Sequence, residues 1–361
     1  MMSEIDTIIA CLQESDGDRR LAILNPNDSR CKIVGNRHVL TRLSRYARSD
    51  TPVNLAFVGP PGVGKTTIAR VFAEAKDIPL VEIQPQMVNS INDILVLIAE
   101  NYEARGKELM TEFEKAGEGN EKEFIPDPCA IFIDEVHALR KDVVQGLLKA
   151  TEPNDMRMIT EKGFSVDCKN INWLIATTEL GLVFPPFKSR FSLVRLKLYT
   201  KEELAKIVNM KFPTWHPTVC SWIAYYSSLT REALALAKDV ELEKNIQQER
   251  GIRPNMVELI SKIAEENGID SLGMRKDRVL VLKMLGEGPA SRARLCATLG
   301  CQEEELVRDI MPPLLALTED SDPLVTTCSR GYLITDTGRV ELDERSIPHN
   351  GHEEENEKCL K

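Results

Sequence analysis

Long apolar stretches are missing from this chain: no run approaches the roughly 18 residues that a membrane-crossing helix needs. The first residues, Met1-Met2-Ser3-Glu4-Ile5-Asp6, also lack the basic-then-apolar layout of a secretory signal. Both gaps argue against a membrane or exported protein, and the expected location is the cytoplasm. Paired cysteine motifs are missing too. The nine cysteines are odd in number and scattered, Cys296 and Cys301 stand five apart, and no histidine cluster accompanies them. Neither a disulfide framework nor a zinc site is suggested, and free thiols are expected. Excess positive charge is absent as well: the formal net charge is −10. A chain coated with basic surface for nucleic acid is thereby excluded, so any contact with DNA must be local.

What is present is enough for several domains. The 361 residues, 42% of them hydrophobic, have the size and texture of a globular protein with a sizeable core. Asn54-Leu55-Ala56-Phe57-Val58 is a short apolar run of strand type, followed by a glycine-rich turn and a helical stretch, Lys65 to Ala75. Cys129-Ala130-Ile131-Phe132-Ile133 and Asn172-Trp173-Leu174-Ile175-Ala176 have the continuous hydrophobicity of parallel strands buried on both faces. Together these runs predict an α/β fold, a parallel sheet with helices on both sides, over residues 1–199.

From Thr200 the texture becomes helical. Thr200-Lys201-Glu202-Glu203 is a capping-box start, and helical patterns continue to about Asn267, which predicts a small helical domain over 200–270. Beyond it, Arg275 to Leu285, Ser291 to Leu299 and Gln302 to about Leu317 read as three helices. Strand-like runs follow around Leu324 to Thr327 and Tyr332 to Thr335. Three helices and a hairpin are the order of a winged helix-turn-helix, assigned to 271–345. Residues 346–361, with four glutamates and no apolar periodicity, read as an acidic disordered tail.

Gly59-Pro60-Pro61-Gly62-Val63-Gly64-Lys65-Thr66 fits G-x-x-x-x-G-K-[ST] and lies between a predicted strand and a predicted helix. In such a loop the backbone N–H groups turn inward around phosphates, and the helix N-terminus adds positive partial charge. Lys65 is expected to neutralise the β- and γ-phosphates of ATP while the Thr66 hydroxyl holds Mg²⁺; Thr67 adjoins them in the binding segment. Asp134-Glu135 ends the second strand, on the sheet edge that faces the same crevice. Asp134 is assigned to the Mg²⁺ shell and Glu135 to the attacking water, which must be oriented and relieved of a proton as it meets the γ-phosphorus. His137 reads as a polar helix-start residue rather than a catalyst.

The phosphate loop, Ile133-Asp134-Glu135-Val136-His137, Ala176-Thr177-Thr178, Lys188-Ser189-Arg190-Phe191 and the terminal winged helix together resemble the AAA+ ATPases. Within them the match is closest to the RuvB family of bacterial Holliday-junction branch-migration motors, from about Ile33 to Val340. The resemblance implies that Ile33, Val34 and Gly35 belong to the adenine pocket and that Thr178 senses the γ-phosphate. It implies that Arg190 is an arginine finger supplied to a neighbouring subunit's ATP, and that Arg231 is the second sensor. An oligomer follows, by resemblance a hexameric ring. The segment Met156 to Asp167 reads as a hairpin with Lys162-Gly163 at its turn, either a dock for a RuvA-like partner or an exposed turn.

The C-terminal module carries 10 Lys/Arg against 13 Asp/Glu between Arg275 and Arg345, a net of −3 that is poor for phosphate attraction over a whole face. Its tip is the candidate: Ser329-Arg330-Gly331-Tyr332 resembles the family's Arg-Gly-Arg with tyrosine in place of the second arginine. Arg330 would reach phosphate or the minor groove, supported by Arg292, Arg294 and Arg339. Winged helices also serve as protein-contact modules. Two further departures from the family stand out. The stretch Glu100 to Pro128 is an insertion with a loop at Ala116 to Asn120, a partner surface or a tolerated loop. The family's glycine and proline around the second sensor are absent, since Ser227-Ser228-Leu229-Thr230 precedes Arg231. The expected function is an ATP-dependent DNA motor of divergent RuvB type, a helicase or translocase for recombination junctions. A loader or remodeller of a replication or repair complex, and a nucleotide-gated binding module with little turnover, are the alternatives.

Overall fold

A computed structural model describes residues 20–100, 111, 123–153, 155–159, 165–316 and 322–346. The chain divides into two compact units between Lys197 and Leu198.

The first unit is built on five parallel strands: β1 (Asn54–Val58), β2 (Leu80–Ile83), β4 (Cys129–Ile133), β7 (Ile171–Thr177) and β8 (Ser192–Arg195). They lie in the order β2-β4-β7-β1-β8. β4 and β7 are buried at every position, as their largely apolar sequences require of strands covered on both faces. Helix α1 (Arg37–Arg48) precedes β1, and α2 (Lys65–Lys76), α3 (Ile91–Glu100), α4 (Lys141–Ala150) and the short α5 (Pro185–Lys188) lie between the strands. The buried residues of α2 include Ile68, Ala69, Phe72 and Ala73, whose three- and four-residue spacings put them on the side that meets the core.

Two polar side chains are buried in this apolar sheet, Asn172 near the start of β7 and Thr177 at its end. Asn172 is 1% exposed, accepts from Val53 N at 3.1 Å and donates to the Cys129 carbonyl at 3.1 Å. It thereby ties the starts of β1, β7 and β4 together, and both of its amide functions are satisfied.

Because β7 lies between β1 and β4, the carboxyl ends of these three strands are neighbours. Val58 pairs with Thr177, and Ile133 with Ile175. The loop after Val58, the pair after Ile133 and the turn at Thr177-Thr178 therefore line one sheet edge, where parallel α/β sheets bind ligands.

A second, small sheet holds β3 (Glu123–Phe124), β5 (Arg157–Ile159) and β6 (Ser165–Asp167). β5 and β6 are antiparallel and β3 runs parallel to β6. The strands of the expected hairpin are thus present, while its turn at Lys162-Gly163 lies outside the described residues. So does most of the expected insertion, including Ala116 to Asn120. The end of that insertion is structured as β3 and widens the hairpin to three strands.

The second unit starts with α6 (Lys201–Lys211), whose Thr200 hydroxyl accepts from Glu203 N while the Glu203 carboxylate accepts from Thr200 N. α7 (Pro217–Tyr225), α8 (Thr230–Glu249) and α9 (Met256–Glu266) follow around a core of Val208, Ile223, Leu236 and Ile260. α10 (Lys276–Glu287), α11 (Arg292–Leu299), α12 (Glu303–Glu305) and α13 (Met311–Leu315) precede the antiparallel strands β9 (Val325–Cys328) and β10 (Gly331–Ile334). These form their own core around Val281, Leu285, Leu295, Leu314 and Ile334. The π-helical segment Leu306–Ile310 joins α12 to α13. A further helix, α14 (Asp336–Ser346), was not anticipated. Ser346, assigned from composition to the tail, is its last residue. The remainder of the acidic segment lies outside the described residues. Among the described residues no helix is long and apolar enough to cross a membrane.

Candidate active site

The loop after β1 folds as its glycines dictate. Gly62 and Gly64 have φ of +78° and +83°, backbone conformations that side-chain-bearing residues rarely adopt. Gly59 is needed for a different reason: a Cβ there would stand 2.7 Å from the Leu196 carbonyl oxygen. Lys65, 7% exposed, opens α2 and turns its ammonium back onto the loop, donating to the Gly59 carbonyl at 2.9 Å and the Pro60 carbonyl at 3.1 Å. A buried ammonium held by carbonyl oxygens in a loop at a helix N-terminus places positive charge where an anion would sit.

Across the edge, the Thr66 hydroxyl donates to Asp134 Oδ2 at 3.1 Å. A hydroxyl and a carboxylate thus converge as hard oxygen donors. Asp134 Oδ1 also accepts from Glu135 N at 3.0 Å. Glu135 itself has φ +44° and ψ +52°. That left-handed conformation costs energy for a residue with a Cβ, and such strain concentrates at working sites. Its carboxylate is held from the β7 side, where Oε2 accepts from both the backbone N–H and the hydroxyl of Thr178, each at 3.1 Å. Strand order brings together what lies 43 residues apart in sequence.

The residue that sequence reasoning passed over is His137. Its Nδ1 is 2.9 Å from Thr177 Oγ1 and 3.4 Å from Glu135 Oε2, with the ring mostly enclosed. The Thr177 hydroxyl in turn accepts from Glu179 N at 3.0 Å. Glu135, His137, Thr177 and Thr178 form one connected group. The available signal was the spacing Asp-Glu-x-His at a strand end.

The remaining expected residues lie elsewhere. Ile33 is buried and Val34 is half-buried, just ahead of α1. Arg190 is not on this edge. It shares a cavity of about 230 Å³ with Asn54, Leu55, Ile171, Trp173 and Ser192, the starting residues of β1, β7 and β8. Its guanidinium pairs with Glu152 at 3.3 Å. Arg231 is exposed in the first turn of α8 in the second unit. Arg330 is exposed in the turn between β9 and β10. Arg292, expected to support it, is instead engaged with Glu303 at 3.1 Å.

A glycine-turned phosphate loop between a strand and a helix, facing an Asp-Glu pair across a parallel sheet of this order, defines a P-loop ATPase domain of the AAA class. Residues 55–197 match the family described as ATPase family associated with various cellular activities (AAA), and this part of the chain is an AAA ATPase domain that binds nucleotide. Over most of its length the chain is similar to the Holliday junction branch migration complex subunit RuvB. The RuvB of Mycoplasmopsis synoviae is 25% identical over 329 residues, which are 85% of this chain and 93% of the relative. That of Nitratiruptor sp. is 26% identical over 298 residues, 79% and 80% of the two chains. Among solved structures, the Thermotoga maritima RuvB Holliday junction branch migration motor superposes with a TM-score of 0.62 at 23% identity, covering 86% of this chain and 95% of that one. A mutant of the same Thermotoga protein gives 0.66 at the same identity, covering 86% and 96%. The chain is a divergent relative of RuvB.

Proposed function

We propose that the chain is an ATP-driven DNA motor of RuvB type, acting in the cytoplasm as a ring, with branch migration of four-way junctions as its work. The observation that carries this reading is the split of its catalytic groups between opposite sheet edges. The phosphate loop, Asp134 and Glu135 lie at the carboxyl ends of the strands, whereas Arg190 lies at their starts. β7 alone is seven residues long, so roughly 20 Å of sheet separates the two edges, beyond the reach of an arginine side chain. Arg190 therefore serves a second subunit's nucleotide, and the complete site is made by two chains.

In that site Lys65 neutralises phosphate oxygens, and the N–H groups of the loop and the α2 N-terminus cradle them. Thr66 and Asp134 offer the oxygen set that fits Mg²⁺, whose chemistry when bound is to offset the charge on the phosphates. Glu135 orients water and takes its proton, with Thr178 fixing the carboxylate and His137 fixing Thr177. Arg190 meets the charge that develops in the neighbour's transition state, and Arg231 reads the phosphate state from the helical module.

The three-stranded sheet β3-β6-β5 is the proposed dock for a RuvA-like partner, and Arg330 the proposed phosphate contact at the wing tip. The test is ATP-dependent unwinding of a four-way junction, run beside gel filtration with and without ATP. Junction unwinding by an ATP-assembled oligomer is expected. Turnover stimulated only by a protein partner, with no action on DNA, would overturn the motor reading.

A further inference from the structure

Arg278 on α10 is 1% exposed, among the largest side chains in the chain that are fully enclosed. Burying a guanidinium is costly unless its charge is matched, and here its two terminal nitrogens are spent on two targets. Nη1 and Nη2 fork onto the Glu232 carboxylate at 3.2 and 2.5 Å, and Nη2 also donates to the Asp309 carbonyl at 2.7 Å.

The two targets belong to different modules. Glu232 lies in the first turn of α8, directly after Arg231. Its Oε2 accepts from Ser228 N at 3.0 Å and Leu229 N at 3.2 Å, so it clamps the turn that leads into Arg231. Arg275 adds a further contact to Glu232 Oε1 at 3.5 Å. Asp309 lies in the π-helical segment ahead of α13. Its carbonyl needs an outside donor for a reason visible in the sequence: its α-helical partner would be the N–H of residue 313, and Pro313 has none. Proline chemistry thus frees an acceptor on the C-terminal module, and Arg278 fastens it to the turn that carries Arg231.

We propose that Arg278 is a positioning residue that couples Arg231 to the C-terminal module through the Glu232 carboxylate, an inference that rests on the phosphate-sensing role proposed for Arg231. Nucleotide state read at Arg231 then shifts the turn at 228–232, and Arg278 carries that shift to the segment at Asp309. The same link runs backwards, so DNA held by the C-terminal module biases Arg231.

The test is a double-mutant cycle in the full chain, with ATP and four-way junction DNA. Arg278→Met is expected to lower the DNA-stimulated kcat by about tenfold while the KM for ATP stays within about twofold. Arg231→Ala is expected to lower the same rate, and Arg278→Met placed on top of it to add nothing, because the first residue acts through the second. A merely structural arginine gives losses that multiply, and that result overturns the coupling while leaving the sensing role intact. If Arg231→Ala leaves turnover unchanged, the sensing role fails and the coupling with it. Where Arg278→Met lowers Tm too far to assay, Glu232→Gln takes its place with the same expectations, and Arg278→Lys should restore less than half of the stimulated rate, since an ammonium lacks the fork that reaches both targets.

Discussion

Glu135 Oε2 accepts two hydrogen bonds from one residue, the amide and the hydroxyl of Thr178, both at 3.1 Å. The amide bond survives any substitution except proline, so the hydroxyl is the separable part. Thr178→Val keeps the shape and removes one bond to a charged acceptor, a change of about 1.5–3 kcal/mol. A fall in kcat of roughly tenfold to a hundredfold is expected, with ATP binding retained. Glu135→Gln removes the base itself, and turnover should drop by at least about a hundredfold. Steady-state hydrolysis beside equilibrium nucleotide binding checks both, and unchanged hydrolysis in Glu135→Gln would remove this carboxylate from the mechanism.

Gly59 gives a prediction in which geometry alone decides. A methyl group there meets the Leu196 carbonyl oxygen at 2.7 Å, Leu196 Cβ at 3.1 Å and Val63 Cγ2 at 3.2 Å. The first of these is backbone of the segment just beyond β8 and cannot swing aside. Gly59→Ala should therefore push the loop away from that segment at a cost of about 1–3 kcal/mol. Calorimetry should show a lower Tm, and titration weaker nucleotide binding. An unchanged Tm would mean that the loop has slack which these contacts deny.

The strands most legible in the sequence were those whose burial is continuous, β1, β4 and β7, because four or five apolar residues in a row admit few other readings. Those that gave no signal are the sheet's edges. β8 reads Ser192-Leu193-Val194-Arg195 with only Val194 buried, and β2 alternates with Glu82 outward, forked by Arg70 at 2.6 and 2.7 Å. The phosphate loop and Asp134-Glu135 were legible since local spacing encodes their chemistry. His137 was not, because its meaning depends on Thr177, 40 residues away across a strand order that spacing does not reveal. The Glu232–Arg278 contact spans 46 residues and was invisible for the same reason.

Lys201 makes the second unit's stability depend on pH. Its ammonium donates to the Tyr225 carbonyl at 3.0 Å and the Ser227 carbonyl at 2.7 Å. Crowding by protein lowers its pKa to about 8, with Glu232 opposing and Arg278 adding to the shift. A lysine whose folded pKa lies below its unfolded one binds fewer protons when folded, so between about pH 8 and its ordinary value near 10.5 stability gains as pH rises. Below about pH 8 the full cost of holding the charge is present. The residue as a whole is exposed, which moderates the effect. Chemical denaturation at about pH 7.5 and about pH 9.5 should show the wild-type chain gaining on Lys201→Met; parallel curves for the two would refute the shift.

Arg190 permits the sharpest test of a site made by two chains. In one chain it lies at the starts of β1, β7 and β8, with the phosphate loop at their far ends. Arg190→Ala alone and Glu135→Gln alone should each hydrolyse ATP slowly. Mixed in equal amounts and reassembled, they can complement, because an Arg190→Ala chain still supplies Glu135 while a Glu135→Gln neighbour still supplies Arg190. With random assembly about a quarter of the subunit boundaries then hold both groups intact, and activity should rise toward that fraction of the wild type. A guanidinium working within its own chain cannot be rescued in this way, so a mixture no faster than the mean of its parts would place the finger elsewhere. The ion pair of Arg190 with Glu152 at 3.3 Å adds a second arm. Glu152→Gln frees the guanidinium for the neighbour, and at low chain concentration it should raise hydrolysis rather than lower it.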